Sequence, residues 1–255
     1  MKIADWCVLG NGNRPVAAAP AARLTIGFNL SQTTVPIDML VCNLASKGLT
    51  KKIQVVGPLN ALNWQNCFQV HAESMERQLG CWPSLGLVVV SSGVSAGLDL
   101  RVCNMNLLPT LSRPADLPPR QVVPSHFHNW LGERRLILKL LPYLDWPEFT
   151  LPLPAMPHAG DTYEVCPVKQ LHQLPELPKP LASDMIAHLT TVDCYDWCSA
   201  LAHTTAEELS RLDHLFMLDR KQPNTANWWL FDQHHSAYMD LIRFQLAQAQ
   251  QLLYV

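Results

Sequence analysis

The sequence predicts an α/β protein: a Rossmann-like, mostly parallel sheet flanked by helices, with a Pro-rich middle segment and C-terminal helices. Three observations carry this expectation. From residue 1 to about 108, short apolar runs alternate with stretches suited to helix, as strands and crossovers do in a parallel sheet. Fourteen of the twenty prolines fall between 109 and 180, a density that excludes long regular elements there except over 131–141. From about Ser183 onward apolar residues return at helical spacing. The expected organisation is an α/β domain over 1–141, a Pro-rich loop or lid over 142–182, and a helical region over 183–255 packed on the domain.

The first apolar run, 7–9, leads into Gly10-Asn11-Gly12-Asn13-Arg14-Pro15. A strand that ends in glycines lets the backbone approach a ligand closely, and a helix starting after it aims free amide groups at phosphate. Gly-x-Gly lacks the third glycine of the dinucleotide fingerprint, and an ordinary tight turn competes with the nucleotide site. Further strands are expected over 24–28, 39–42, 53–56 and 100–105. Two of them run into asparagines, Asn29 and Asn43. In an open α/β sheet ligands bind beyond the carboxyl ends of the strands, so these and Asn11 are candidates for one crevice. Each amide carries donors and an acceptor, which suits ribose hydroxyls or a base edge. Asparagine as a plain turn former is the competing reading.

Two mechanisms compete over 83–97. Gly93-Val94-Ser95-Ala96-Gly97 matches the Gly-x-Ser-x-Gly nucleophile elbow of serine hydrolases. An elbow needs a strand before it and a helix after it, yet 98–103 reads as a strand. The reverse order fits better: Pro83 in the first turn of a helix, Ser84 at its start, apolar and small residues to Ala96, and Gly97 as the stop. Ser95 is then expected at a buried helix end. Ser84 and Gly86 become a second phosphate-type site, a hydroxyl and amides beside a residue that permits close approach.

Histidine is suited to proton transfer near neutral pH, and His128 precedes Glu133 by five residues at the entrance of the helix expected from Leu131. Solvated loop histidines and a helix-start carboxylate are the competing explanation. His126 and His128 have no third ligand at a telling distance, and the adjacent His234 and His235 point to different faces of a helix, so no metal is expected. Thr205-Ala206-Glu207-Glu208 fits a capping box, and Trp228, Trp229 and Phe231 fit core or interface packing.

Composition narrows the classes further. The chain has 255 residues, 48% apolar, enough to bury a full core. Its net charge of −2 provides no global field for nucleic acid or an anionic membrane. No run of eighteen apolar residues and no signal-type core is present, so a cytoplasmic location is expected. The eight cysteines form no Cys-x-x-Cys pair, which argues against a zinc site or a disulfide framework.

Taken in order, these pieces resemble the sialyltransferases, bacterial and eukaryotic, over about residues 1–140. The resemblance lies in Val8-Leu9-Gly10-Asn11-Gly12, in Gly27-Phe28-Asn29, in Pro83-Ser84-Leu85-Gly86 leading to Leu100-Arg101-Val102-Cys103-Asn104-Met105-Asn106, and in the His-x4-Glu spacing of His128 and Glu133. It implies a nucleotide-binding α/β domain that transfers a sugar from a CMP-sialic acid-like donor to an acceptor hydroxyl. No cofactor or metal is implied, the nucleotide sugar being a co-substrate. The resemblance assigns Gly10, Asn11, Gly12, Asn29, Asn43 and Asn106 to the nucleotide, and Ser84 and Gly86 to its phosphate or the donor carboxylate. It assigns His128 with Glu133 to the base. Asn106 stands where the bacterial enzymes tend to carry an aspartate. The implied partners are a nucleotide sugar and a glycan acceptor. A non-catalytic nucleotide-binding or interaction domain and a Ser95 hydrolase are the rival readings.

Overall fold

A computed structural model describes residues 3–12, 21–29, 35–44, 51–57, 61–118, 121–154, 166–219 and 225–254. The expected helix start after Gly12, over 13–20, lies outside the described residues. The chain forms two compact units, one of residues 1–107 and 136–150, the other of 108–135 and 151–255. The stretch expected as one α/β domain, 1–141, therefore contributes to both, and so does the segment 142–182.

The first unit is built on a six-stranded sheet: β1 (Ala4–Leu9), β2 (Ala22–Phe28), β3 (Met39–Leu44), β4 (Lys52–Val56), β5 (Leu100–Cys103) and β6 (Leu144–Asp145). Strand order is β4-β3-β2-β1-β5-β6, parallel except for antiparallel β4. This is the α/β class expected from the sequence. Central β1 is buried along nearly its whole length, as a strand covered on both faces must be, whereas β4 alternates exposed and buried like an edge strand. Val8, Ile26, Val41, Leu100 and Val102 are fully buried. Complete burial of each such side chain contributes about 1.5–3 kcal/mol.

Two helices join β4 to β5: α1 (Ala61–Leu79) and α2 (Leu85–Ser95). Trp6 of β1 packs edge-on against Trp64 of α1 at 4.5 Å between ring centres, with Phe68 beside both. Helix α2 is apolar around its circumference and buries Leu85 through Gly93, as a helix without a solvent face must. The Ser84 hydroxyl accepts from Leu87 N–H at 3.3 Å and caps it, and Gly97, at φ +72°, follows its end. Ser95 itself is exposed, contrary to the buried position expected. The core-facing part of α2 stops at Gly93, and the last turn emerges toward the loop before β5.

The chain crosses between units within α3 (Trp130–Leu138), at residues 135 and 136. The second unit is helical: α4 (Pro167–Gln173), α5 (Lys179–Leu189), α6 (Cys194–Ala202), α7 (Ala206–His214) and α8 (Gln233–Tyr254). Asp193 caps α6 through Tyr195 N–H, and the expected capping box of Thr205 and Glu208 opens α7 with both of its reciprocal bonds. Trp197, Trp229, Ile186, Leu212, Met239 and Ile242 form its core. Trp229 is fully buried, in agreement with its reading as a packing residue. Asp240 on α8 accepts from Leu111 N–H and from the Thr110 hydroxyl, and its neighbour Arg243 donates to Pro109 O, fixing segment 109–112. No described helix is long and apolar enough to cross a membrane.

Candidate functional site

In the first unit β1 is followed outward by β2 and β3 on one side, and the chain then returns to add β5 on the other. The strand order reverses between β1 and β5, and in open α/β sheets that reversal is where ligands bind. The register pairs Leu9 with Cys103, so the loop 10–12 and the loop 104–106 leave the sheet side by side.

Those two loops are bound tightly to each other. Gly10 N–H donates to Cys103 O at 2.9 Å and Gly12 N–H to Asn104 O at 3.0 Å. The Asn104 side-chain amide donates to the carbonyls of both Gly10 and Gly12, at 3.2 and 3.0 Å. A Cβ on Gly10 would lie 2.5 Å from Asn104 O, and one on Gly12 2.5 Å from Asn104 Oδ1. The close approach these glycines permit is thus the approach of the Asn104 backbone and amide.

The asparagines form the rest of one connected edge. Asn11 Nδ2 donates to Phe28 O at 3.2 Å. Asn29 directly after β2 adopts φ +54°, and its N–H donates to Val41 O at 2.9 Å. Its Oδ1 accepts from Asn43 N–H at 3.4 Å, and Asn43 Oδ1 accepts from Trp82 Nε1 at 3.3 Å. Trp82 stands two residues before the cap Ser84, so Asn11, Asn29, Asn43 and the α2 start are linked along the carboxyl edge. Gly86 is buried, and the space over it is filled by the Met105 thioether. Asn106 is exposed, next to Leu107 at φ +52°. A bulky residue with positive φ is an outlier that its surroundings must hold, and such positions cluster at functional sites.

Sequence reasoning missed three members of this edge, Trp82, Lys51 and Glu148. Lys51 Nζ lies 5.3 Å from the centre of the Trp82 ring and 3.5 Å from Glu76 Oε1, placing a cation beside the carboxyl end of β3. The signal for Trp82 was present, an aromatic immediately before Pro83-Ser84. Lys51 became a site residue only through the antiparallel return of β4. The described edge also carries a carboxylate, Glu148, whose Oε1 accepts from Asn104 N–H at 3.4 Å. A pocket of about 200 Å³ opens at the opposite, amino edge, lined by Ala4, Ala21, Asp99, Leu100, Arg101 and Asp145.

His128 and Glu133 belong to the second unit. His128 is extended, and Asn129 after it caps α3 by accepting from Gly132 N–H at 2.8 Å. This turn carries Glu133 back toward the imidazole, with Oε1 3.6 Å from His128 Nδ1. Glu133 is fully buried, while the His128 side chain keeps 21% exposure and packs on Trp130 at 4.9 Å. A buried carboxylate beside a partly exposed imidazole can orient it. His126 is a different case: it is fully buried, and its Nε2 lies 2.8 Å from Leu111 O. That bond explains His126 as a packing residue.

The elbow context around Ser95 is reversed, since α2 precedes it and β5 follows. All eight cysteines are free, and no group of three metal-ligating side chains occurs among the described residues. The chain matches no family model, no curated protein and no solved structure.

Proposed function

We propose that the chain is a glycosyltransferase of sialyltransferase type, which binds a cytidine nucleotide-linked sugar at the carboxyl edge of its first unit; the base that the resemblance names, His128, belongs to the second unit. The observation that carries the donor side is the reversal of strand order between β1 and β5, with Asn11, Asn29 and Asn43 linked along the same carboxyl edge. Amide side chains suit ribose and base, and Lys51 adds positive charge. The base assignment is supported by the order of the sequence motifs and by the Glu133 carboxylate facing His128. The reading calls for no metal, and in bacteria such a donor is cytoplasmic, which is the location the reading would imply.

The filling of the Gly12 and Gly86 positions by Asn104 and Met105 favours a second reading, a nucleotide-binding or interaction domain without turnover. A thermal-shift screen against cytidine, uridine, guanosine and adenosine monophosphates addresses the donor side. Ligand at a hundredfold over its Kd stabilises a fold by about 2.7 kcal/mol, which a melting shift resolves. Stabilisation by CMP above the others supports both readings, and indifference to all four removes both. Hydrolysis of CMP-sialic acid that is abolished in His128→Ala selects the enzyme; binding without turnover selects the second reading.

A further inference from the structure

The second unit contains a hydrogen-bonded relay that neither nucleotide reading uses. Ser183 lies in the second turn of α5, and its Oγ is 2.7 Å from His235 Nε2. His235 is in the first turn of α8, and its Nδ1 is 2.7 Å from Asp232 Oδ1. A carboxylate can only accept, so the proton of the neutral imidazole resides on Nδ1. That leaves the Nε2 lone pair to accept the Ser183 hydroxyl proton. Burial alone raises the Asp232 carboxyl, but the backbone N–H and ring N–H of His235 outweigh it and hold it below its ordinary range. Asp232 is therefore ionised at neutral pH.

We propose that Ser183 is an activated nucleophile, with His235 as its general base and Asp232 orienting the ring, and that it attacks carboxylic esters. The arrangement meets the geometric test for such a site: nucleophile to base and base to orienting group both within hydrogen-bond reach. Helix capping accounts for part of it, since Asp232 Oδ1 also accepts His235 N–H at 3.0 Å and Asp232 O accepts Ser236 N–H at 3.0 Å. Capping does not account for a hydroxyl from another helix aimed at the far nitrogen of the ring.

The surroundings suit a small ester. The His235 side chain is 14% exposed and Asp232 38%, so the relay borders solvent. The Trp228 ring packs edge-on to His235 at 4.7 Å and gives an apolar wall for an acyl group. Lys179 Nζ sits 4.5 Å from the centre of the same Trp228 ring, and Lys179 is one turn before Ser183 on the same face of α5. Its ammonium is the cation available to a developing oxyanion.

The reaction balances without any group beyond water. Ser183 Oγ bonds to the ester carbonyl carbon as its proton passes to His235 Nε2. The carbon–oxygen bond to the alcohol then breaks, and the alcohol departs with that proton. Water attacks the acyl-Ser183 ester, His235 takes a proton from it and returns it to Ser183 Oγ, and a carboxylic acid leaves.

The test uses the whole chain, a fluorophosphonate probe with the adduct mapped by peptide mass spectrometry, and p-nitrophenyl acetate hydrolysis. Wild type is expected to carry the adduct on Ser183. His235→Asn should slow labelling and hydrolysis at least about tenfold, and Asp232→Asn should slow both with the circular dichroism spectrum unchanged. Ser183→Ala should abolish the adduct. An unlabelled Ser183 in folded wild type overturns the proposal, as does labelling of Ser183 in His235→Asn at the wild-type rate. Neither result depends on the Ser183→Ala variant folding.

Discussion

Gly12 and Asn104 are joined by a reciprocal pair: Gly12 N–H donates to Asn104 O at 3.0 Å, and Asn104 Nδ2 donates to Gly12 O at 3.0 Å. Asn104 holds this geometry at φ +54°, a conformation that asparagine tolerates better than most residues. Asn104→Ala loses two side-chain bonds and keeps the strained backbone, and is expected to cost about 1–3 kcal/mol. Asn104→Gly loses the same bonds but relaxes the backbone, so it should be the milder change. Urea unfolding of the two variants checks the order; equal losses would mean that φ contributes nothing.

The parallel strands were legible because each is a short apolar run bounded by turn residues, and the helix over 83–96 because Pro83-Ser84 and Gly97 punctuate it. Ser84, Thr205 and Glu208 act locally, within one turn, and local chemistry is what a sequence displays. The antiparallel direction of β4 and the two-residue β6 depend on pairing partners far along the chain, and neither leaves a local mark. For the same reason Gly10 and Gly12 read as openings for a ligand. Their actual neighbour, Asn104, arrives through the β1–β5 register. Ser183, Asp232 and His235 were illegible as a set because α5 and α8 meet only in the folded unit. In the sequence the adjacency of His234 and His235 speaks only to chelation and does not mark either ring as a base.

In the proposed transferase Glu133 would act only through His128, which makes it a positioning residue in that reading. Glu133→Gln keeps the shape but replaces the carboxyl group facing Nδ1. Turnover of CMP-sialic acid is expected to fall about ten- to a hundredfold with the donor KM unchanged. A matching rise in KM would instead indicate that the unit had been disturbed as a whole.

Burial holds His126 below its ordinary value of 6.5, with Arg243 and Arg113 pushing the same way and the Leu111 carbonyl and Asp240 opposing them. Burial lowers His172 as well, helped by Arg211 and opposed by Glu208. Both imidazoles take up protons more readily in the unfolded chain than in the folded one. Stability from this source is complete above the unfolded value and is lost as the pH falls below it toward the folded values. The urea midpoint should therefore decline between about pH 7 and 5, and His126→Gln, which keeps a donor for Leu111 O, should flatten the decline. An identical slope in both proteins would remove His126 as the cause.

Gly86 offers the clearest separation of packing from ligand binding. Met105 fills the space over it, and Met105 O is held by Trp146 Nε1 at 2.6 Å, so the loop cannot retreat freely. Gly86→Ala makes the flexible Met105 thioether shift while gaining helix propensity, so it should cost at most about 1 kcal/mol. In the Met105→Ala background the added methyl meets a gap instead, and the substitution should become neutral or stabilising by up to about 1 kcal/mol. CMP binding measured across the same four proteins then distinguishes the two roles. If Gly86 serves Met105 alone, the double variant binds CMP as the Met105→Ala protein does. If a phosphate approaches the backbone there, the alanine methyl still obstructs it, and binding stays weak after stability has recovered.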